Sequence, residues 1–200
     1  MLIWLCALKC EAKPLIDFYR LQKEHTGHRY TTYRGNGMTC IVSGIGSLNM
    51  AGAAEWAGRS SGTQSGPQLW INLGIAGHAS LELGSLAIAA SYRAANGSAA
   101  IAARLPFPTD LPLVPLISLP QPQSHYPPDA MIDMEGWGFA STLKQNHNMQ
   151  WVQSLKVISD NEKHPPTRDK AIISGLIAAK MQAIDEFACA LIHQAHLTHE

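Results

Sequence analysis

Charge is scarce in this sequence: Asp, Glu, Lys and Arg make up 15% of its 200 residues, and acids and bases cancel to a formal net charge of +0. Soluble domains usually carry about 25% charged residues. No run of lysine and arginine is present that could track a phosphate backbone, so no nucleic-acid partner is expected. So little charge leaves apolar surface to cover, and a homodimer or higher homo-oligomer is the expected way to cover it. Long apolar runs are missing too. None approaches the roughly 20 residues that span a bilayer, and LPLVPLISLP (111–120) is broken by its prolines, so no membrane association is expected. The opening MLIWLCALKCEAK has no basic lead and no small-residue cleavage site, which makes it a buried strand rather than a signal peptide. Cys6, Cys10, Cys40 and Cys189 form no CxxC pair and no zinc-ligand spacing. They read as buried thiols, and the expected location is the cytoplasm. Neither a metal nor a cofactor is implied.

What is present is an alternation of strands and helices. The unbroken apolar run 1–8 suits a strand buried on both faces, and Pro14 stands where a helix could begin. Segments 29–33 and 38–42 flank the hairpin turn Gly35-Asn36-Gly37, and an alanine-rich helix follows over 49–58. Strands are expected at 69–73, 86–92, 99–103, 113–119 and 151–158, with Ala95-Asn96-Gly97-Ser98 turning a second hairpin. Helices are expected at 135–145 and, as one long closing element, at 167–197. The segment 106–128 holds most of the prolines and should lie at the surface. This is an α/β fold, a single domain over 1–200 with a mixed central β-sheet flanked by helices.

Two strand ends run into glycine-rich segments, Ser43-Gly44-Ile45-Gly46 and Gly74-Ile75-Ala76-Gly77. Such turns let backbone N–H groups approach a ligand, although glycine often does no more than close a tight turn. The first has neither the third glycine of a dinucleotide fingerprint nor the Gly-Lys-Ser/Thr of a Walker loop. Glu11, Glu135 and Asp160 each follow a predicted buried strand, where open sheets bind ligands. Asp133 reads as a dipole partner for the helix after it. His78 reads as a solvated loop histidine, and His193, His196 and His199 as a solvated chain end despite their helical spacing. Trp56, Trp70, Trp137 and Trp151 read as core or interface residues.

With those residues in view, the chain resembles the nucleoside phosphorylase superfamily, and most of all its hydrolytic branch, the methylthioadenosine/S-adenosylhomocysteine nucleosidases. The segments that carry the resemblance are Ala7-Leu8-Lys9-Cys10-Glu11, Ser43-Gly44-Ile45-Gly46, Ile71 to Gly77 with Leu83-Gly84-Ser85-Leu86, Asp133-Met134-Glu135-Gly136, and Val157-Ile158-Ser159-Asp160. They span nearly the whole chain in the family's order. A branch acting on adenosyl-hopanoid lipids has a similar Gly-Ile-Ala-Gly segment, so the substituents of the nucleoside stay open.

The resemblance implies cleavage of a purine N-glycosidic bond in a small-molecule nucleoside. Asp160, held by Ser159, would protonate or hydrogen-bond N7 of the leaving purine. Glu135 would grip the ribose hydroxyls, Met134 would pack on the sugar, and Glu11 would activate water. Gly44, Gly46, Ala76 and Gly77 would line the substrate. The residue types fit the chemistry: bond cleavage leaves an oxocarbenium-like sugar while the departing base must shed negative charge. A carboxylic acid donating to that base relieves the charge, and burial favours its neutral form.

The departures bear on the choice of nucleophile. Asn72 stands where phosphorylases of the superfamily have an arginine, Ile75 replaces the hydroxyl of their turn, and Lys9, Glu11 and Lys13 replace their phosphate-binding loop. A phosphate dianion would lose its charged partners, which favours hydrolysis. The chain is also short between Tyr92 and Asp133, where relatives carry the aromatic loop that holds the base. His125 and Tyr126 are the candidates for replacing it. Three readings stay open at this point: a purine-nucleoside hydrolase, a catalytically idle nucleoside-binding module of the same fold, and a phosphate-dependent phosphorylase.

Overall fold

A computed structural model describes residues 1–25, 27–60, 66–97 and 99–198. The strands, in chain order, are β1 (Leu2–Cys6), β2 (Gln22–Glu24), β3 (Thr31–Gly35), β4 (Met38–Val42), β5 (Leu69–Gly77), β6 (Leu86–Ala94), β7 (Ile101–Ala102), β8 (Leu113–Ser118), β9 (Met131–Asp133) and β10 (Val152–Asp160). The helices are α1 (Lys9–Tyr19), α2 (Ser47–Ser60), α3 (Gly136–Leu143), α4 (Lys170–Ala178) and α5 (Met181–Leu197). The expected mixed sheet flanked by helices is what forms. β1 lies between β4 and β5, parallel to both, and β5 is also parallel to β10. Antiparallel pairing joins β10 to β6 and β3 to β4, while β8 runs parallel to both β6 and β9. A single pair, Gly77 with Ile132, then returns from β9 to β5 and closes part of the sheet on itself.

Strand alternation divides the apolar residues between two cores. Leu2, Trp4 and Cys6 of β1, with Ile71 and Leu73 of β5, pack under Leu15, Ile184, Phe187 and Leu191 of the α1 and α5 side. Ile3 and Leu5, with Trp70, pack against Met50, Ala53 and Ala54 of α2 and Phe139 and Ala140 of α3. A strand buried on both faces favours apolar residues throughout, and β1 reads as an unbroken run for that reason, whereas β10 also buries Gln153, Ser154 and Lys156.

Four local expectations are corrected. Pro14 does not open α1: the helix starts at Lys9 and Pro14 sits inside it. Its missing N–H leaves one carbonyl in that helix without its usual donor. The closing helix is two helices. Asp169 caps α4 by accepting from the N–H groups of Ala171 and Ile172, and a break at Ala179–Lys180, marked by neither glycine nor proline, restarts the chain as α5. The segment Gly74–Gly77 is not a turn but the end of β5, in extended register with β10. The second hairpin is shorter than expected, with β7 pairing only through Ser91–Ala102 and Tyr92–Ile101. Ser98 of its turn lies outside the described residues.

Candidate active site

Glu11 is the third residue of α1, and its position follows from the way that helix begins. Its Oε2 accepts the Leu8 N–H at 2.8 Å, reaching back as a capping-box glutamate does. Its Oε1 accepts the Ile75 N–H of β5 at 3.1 Å. The carboxylate can lie against β5 because Gly74 has no side chain: a Cβ there would stand 2.9 Å from Oε1 and 3.5 Å from the Lys156 Nζ. Burial pushes the Glu11 carboxyl above its ordinary value, and the Lys156 charge and the two N–H donors partly offset this.

Glu135 lies between β9 and α3. Gly44 and Gly46, with φ of 88° and 97°, form a left-handed turn ahead of α2 that only glycine adopts readily. The Gly46 N–H donates to Glu135 Oε1 at 2.7 Å. The two helix starts meet because Gly138 presents no side chain to the Ser47 carbonyl, which a Cβ would strike. The Ser47 hydroxyl donates to the half-buried Met134 carbonyl at 3.0 Å. Burial, followed by the nearby Asp133 charge, pushes the Glu135 carboxyl up to about 7.

The structure adds a residue that sequence reasoning missed. Lys156, in the middle of β10 and 1% exposed, places its Nζ 2.9 Å from Asp133 Oδ2. Burial opposes its charge, but Asp133, Glu135 and Glu11 together outweigh burial and hold it as an ammonium. The signal was present, since a lysine inside an otherwise buried strand is rarely incidental. Asp133 does cap α3, accepting the Gly136 N–H at 2.8 Å. It is also the partner of Lys156 and accepts the Ser118 hydroxyl at 2.6 Å.

Asp160 ends β10 opposite Gly77. Its Oδ1 accepts the Ser159 hydroxyl, and its Oδ2 accepts the Tyr126 hydroxyl at 2.5 Å. A Cβ on Gly77 would strike both Asp160 and the Tyr126 ring, so this glycine too is a point of close approach. Ala76 is buried beside it. Of the two candidates in the proline-rich segment, Tyr126 is buried and His125 is exposed.

His78 corrects its expectation. It is buried rather than solvated, and its Nδ1 accepts the N–H groups of Ser80 and Leu81, each at 3.1 Å. Burial holds its pKa below the ordinary value. Asn72 is bound into the core, donating to the Leu5 carbonyl at 3.1 Å. Lys9 is exposed, and Lys13 pairs with Asp17 on the surface of α1. His193 and His196 lie on α5, while His199 lies outside the described residues. Among the described residues, no group of three or more His, Cys, Asp or Glu side chains is arranged to hold a metal ion.

Glu11, Asp133 and Glu135 thus surround one buried ammonium, and Asp160 sits at the end of the strand that carries it. The cluster offers a cation, carboxylates and backbone donors in a small, buried volume. With all four charged it holds more negative than positive charge, which repels a dianion and attracts a developing cation.

No protein-family model matches the chain, and no curated protein does. Solved structures do match. The 5′-methylthioadenosine/S-adenosylhomocysteine nucleosidase from Neisseria meningitidis, in complex with methylthio-immucillin-A, is 18% identical with a TM-score of 0.67, over 91% of this chain and 98% of that one. The Colwellia psychrerythraea nucleosidase, in complex with adenine, is 15% identical with a TM-score of 0.72, over 97% and 95%. The Chlamydia trachomatis D161N nucleosidase structure is 20% identical with a TM-score of 0.66, over 94% and 97%. The fold of this chain is therefore that of the methylthioadenosine/S-adenosylhomocysteine nucleosidases.

Proposed function

We propose that this protein hydrolyses the N-glycosidic bond of a purine nucleoside, with residues 1–200 acting as one nucleosidase-like domain. The observation that carries this reading is the meeting of Glu11 and Glu135 around Lys156, with Asp160 at the end of the same strand. Asp160, with Ser159, donates a proton or hydrogen bond to N7 of the base as the C1′–N9 bond breaks. Glu135 accepts hydrogen bonds from the ribose hydroxyls, and its charge stabilises the oxocarbenium-like sugar. Met134 packs on the sugar, while Gly44, Gly46, Ala76 and Gly77 admit the ligand to the backbone. Glu11 takes a proton from the water that adds to C1′. The products are the free base and a free ribose-type sugar.

The surroundings of the cluster support water over phosphate. Asn72 is engaged in the core, Lys9 and Lys13 are on the surface, and the buried Lys156 is already matched by acids. Purine nucleosides are the substrate class, in keeping with the methylthio-immucillin-A and the adenine bound in the neighbouring structures. A homodimer or larger homo-oligomer belongs to the same proposal. Leu48 is 89% exposed at the start of α2, beside the half-exposed Ile45 of the glycine turn. Light scattering that reports a monomer at micromolar concentration removes this part.

The deciding experiment is a mass-spectrometric screen of purine nucleosides with and without phosphate. Release of free base and free sugar at equal rates in both is expected. A sugar 1-phosphate formed only with phosphate, or no cleavage of any nucleoside, overturns the hydrolase reading.

A further inference from the structure

The end of β10 is closed by a residue to which the proposed reaction gives no role. Segment 119–130 joins the parallel strands β8 and β9, and residues 120–125 are exposed without interruption. Tyr126 then turns inward, only 7% exposed, before Pro127 and Pro128 lead back toward the surface. Its ring lies against the bare backbone of Gly77, and its hydroxyl donates to Asp160 Oδ2 at 2.5 Å. Burial and the Asp160 carboxylate hold the phenol above its ordinary pKa, so it stays a donor.

A flat aromatic ring that rests on a glycine and hydrogen-bonds Asp160 has the shape and polarity of a heteroaromatic leaving group at that place. Ligand sites usually enclose about 300–1,000 Å³. A cavity of about 590 Å³ does exist, but it opens at the other end of the sheet, around Met1, Gly35, Gly37 and Ile192. Neither it nor two further cavities touch Glu11, Glu135 or Asp160.

We propose that Tyr126 is a displaceable plug of the leaving-base subsite: its phenol holds on Asp160 the place of the base, and segment 119–130 must swing outward before a nucleoside binds. The inference rests on the nucleosidase reading for the role of Asp160. Between its ends, where the Leu119 N–H donates to the Asp133 carbonyl and Ala130 is buried, the segment carries Pro120, Pro122, Pro127 and Pro128 and buries one large side chain, so Tyr126 is the latch of a strap stiffened by prolines. A ligand that needs the minor, open state binds more weakly by the fraction of that state, and weakening the latch removes this cost.

The test is calorimetric titration of adenine into the wild type, Tyr126→Phe and Tyr126→Ala. Tyr126→Phe keeps the ring and deletes the hydroxyl bond to a charged group, so adenine should bind about tenfold more tightly. Tyr126→Ala removes the plug and should bind at least as tightly as Tyr126→Phe. Urea midpoints of the free proteins give the folded state of each variant. If adenine binds all three equally, the plug is overturned while the nucleosidase reading stands. If the variants bind more weakly than the wild type, Tyr126 holds the base instead of displacing it, and the plug is again overturned. If adenine binds none of the three folded proteins, the base subsite and the plug fall together.

Discussion

The Lys156 ammonium lies 2.9 Å from the Asp133 carboxylate, both buried where water cannot solvate either charge. β10 supplies the cation and β9 the anion, and the pair ties the strand that ends in Asp160 to the one that leads into Glu135. Removing one partner of such a pair strands the other, which costs about 3–5 kcal/mol. Lys156→Met should therefore lower unfolding stability by that amount. Adding Asp133→Asn should restore part of it, because the stranded charge is gone. Urea melts of the two single variants and the double variant give the coupling. Strictly additive losses would show that the two charges do not depend on each other.

Glu135 gives the cluster a pH dependence whose sign is fixed. Its carboxyl rises from an ordinary 4.5 to about 7 in the folded protein. Between those values the native state binds the extra proton, so stability is fully present below about pH 4.5 and is lost as pH rises to about 7. The full loss is on the order of 3 kcal/mol at most. Glu135→Gln keeps an acceptor for the Gly46 N–H and cannot ionise. It should match the wild type at pH 4.5 and be more stable at pH 8, as read from thermal melts at the two pH values. A wild type whose stability is flat across that window would contradict the raised value.

The glycines of the site separate into two kinds by what surrounds them. Gly74→Ala places a methyl group 2.9 Å from the Glu11 carboxylate, a side chain that can move at the expense of its Ile75 hydrogen bond. The expected result is a large loss of nucleoside cleavage with a modest loss of stability, about 1 kcal/mol. Gly138→Ala instead drives a methyl group into the Ser47 backbone carbonyl and must push α2 and α3 apart. Overpacking of that kind costs about 1–3 kcal/mol, and more where backbone must move. Unfolding midpoints and initial rates measured on both variants should rank them in opposite orders.

Glu11→Gln tests the water-activating role. Loss of a general base slows a reaction about 100-fold or more. The glutamine has a single oxygen for the Leu8 and Ile75 N–H groups that the two carboxylate oxygens accept, so one buried donor is left unpaired. The variant should stay folded but lose about 1–3 kcal/mol of stability, read from urea melts. Cleavage should be slowed equally with and without phosphate. A variant that retains the wild-type rate would assign the proton transfer to another group.

The sequence by itself determined the layer plan and the places where chemistry is concentrated. Burial on both faces favours apolar strands, so β1 is legible as an unbroken apolar run. β5 and β10 are legible as strands although Asn72, Gln153, Ser154 and Lys156 interrupt them. The Gly44–Gly46 turn is legible because only glycine takes a left-handed φ freely. Glu11, Glu135 and Asp160 stood out because acids at the ends of such runs are unusual. What the tertiary structure alone decided are relations between segments far apart in the chain. Gly74 and Gly77 suggested a turn, yet they are extended. Their lack of a side chain serves the approach of Glu11 from α1 and of Tyr126 from a strap some fifty residues onward, as the numbering shows. The break between α4 and α5 falls at Ala179–Lys180, where neither glycine nor proline nor a side-chain cap marks it in the sequence. Lys156 was visible as a residue, but its meaning was not. A buried charge is interpretable only with its partners, and Asp133 reaches it through strand pairing that no local pattern encodes.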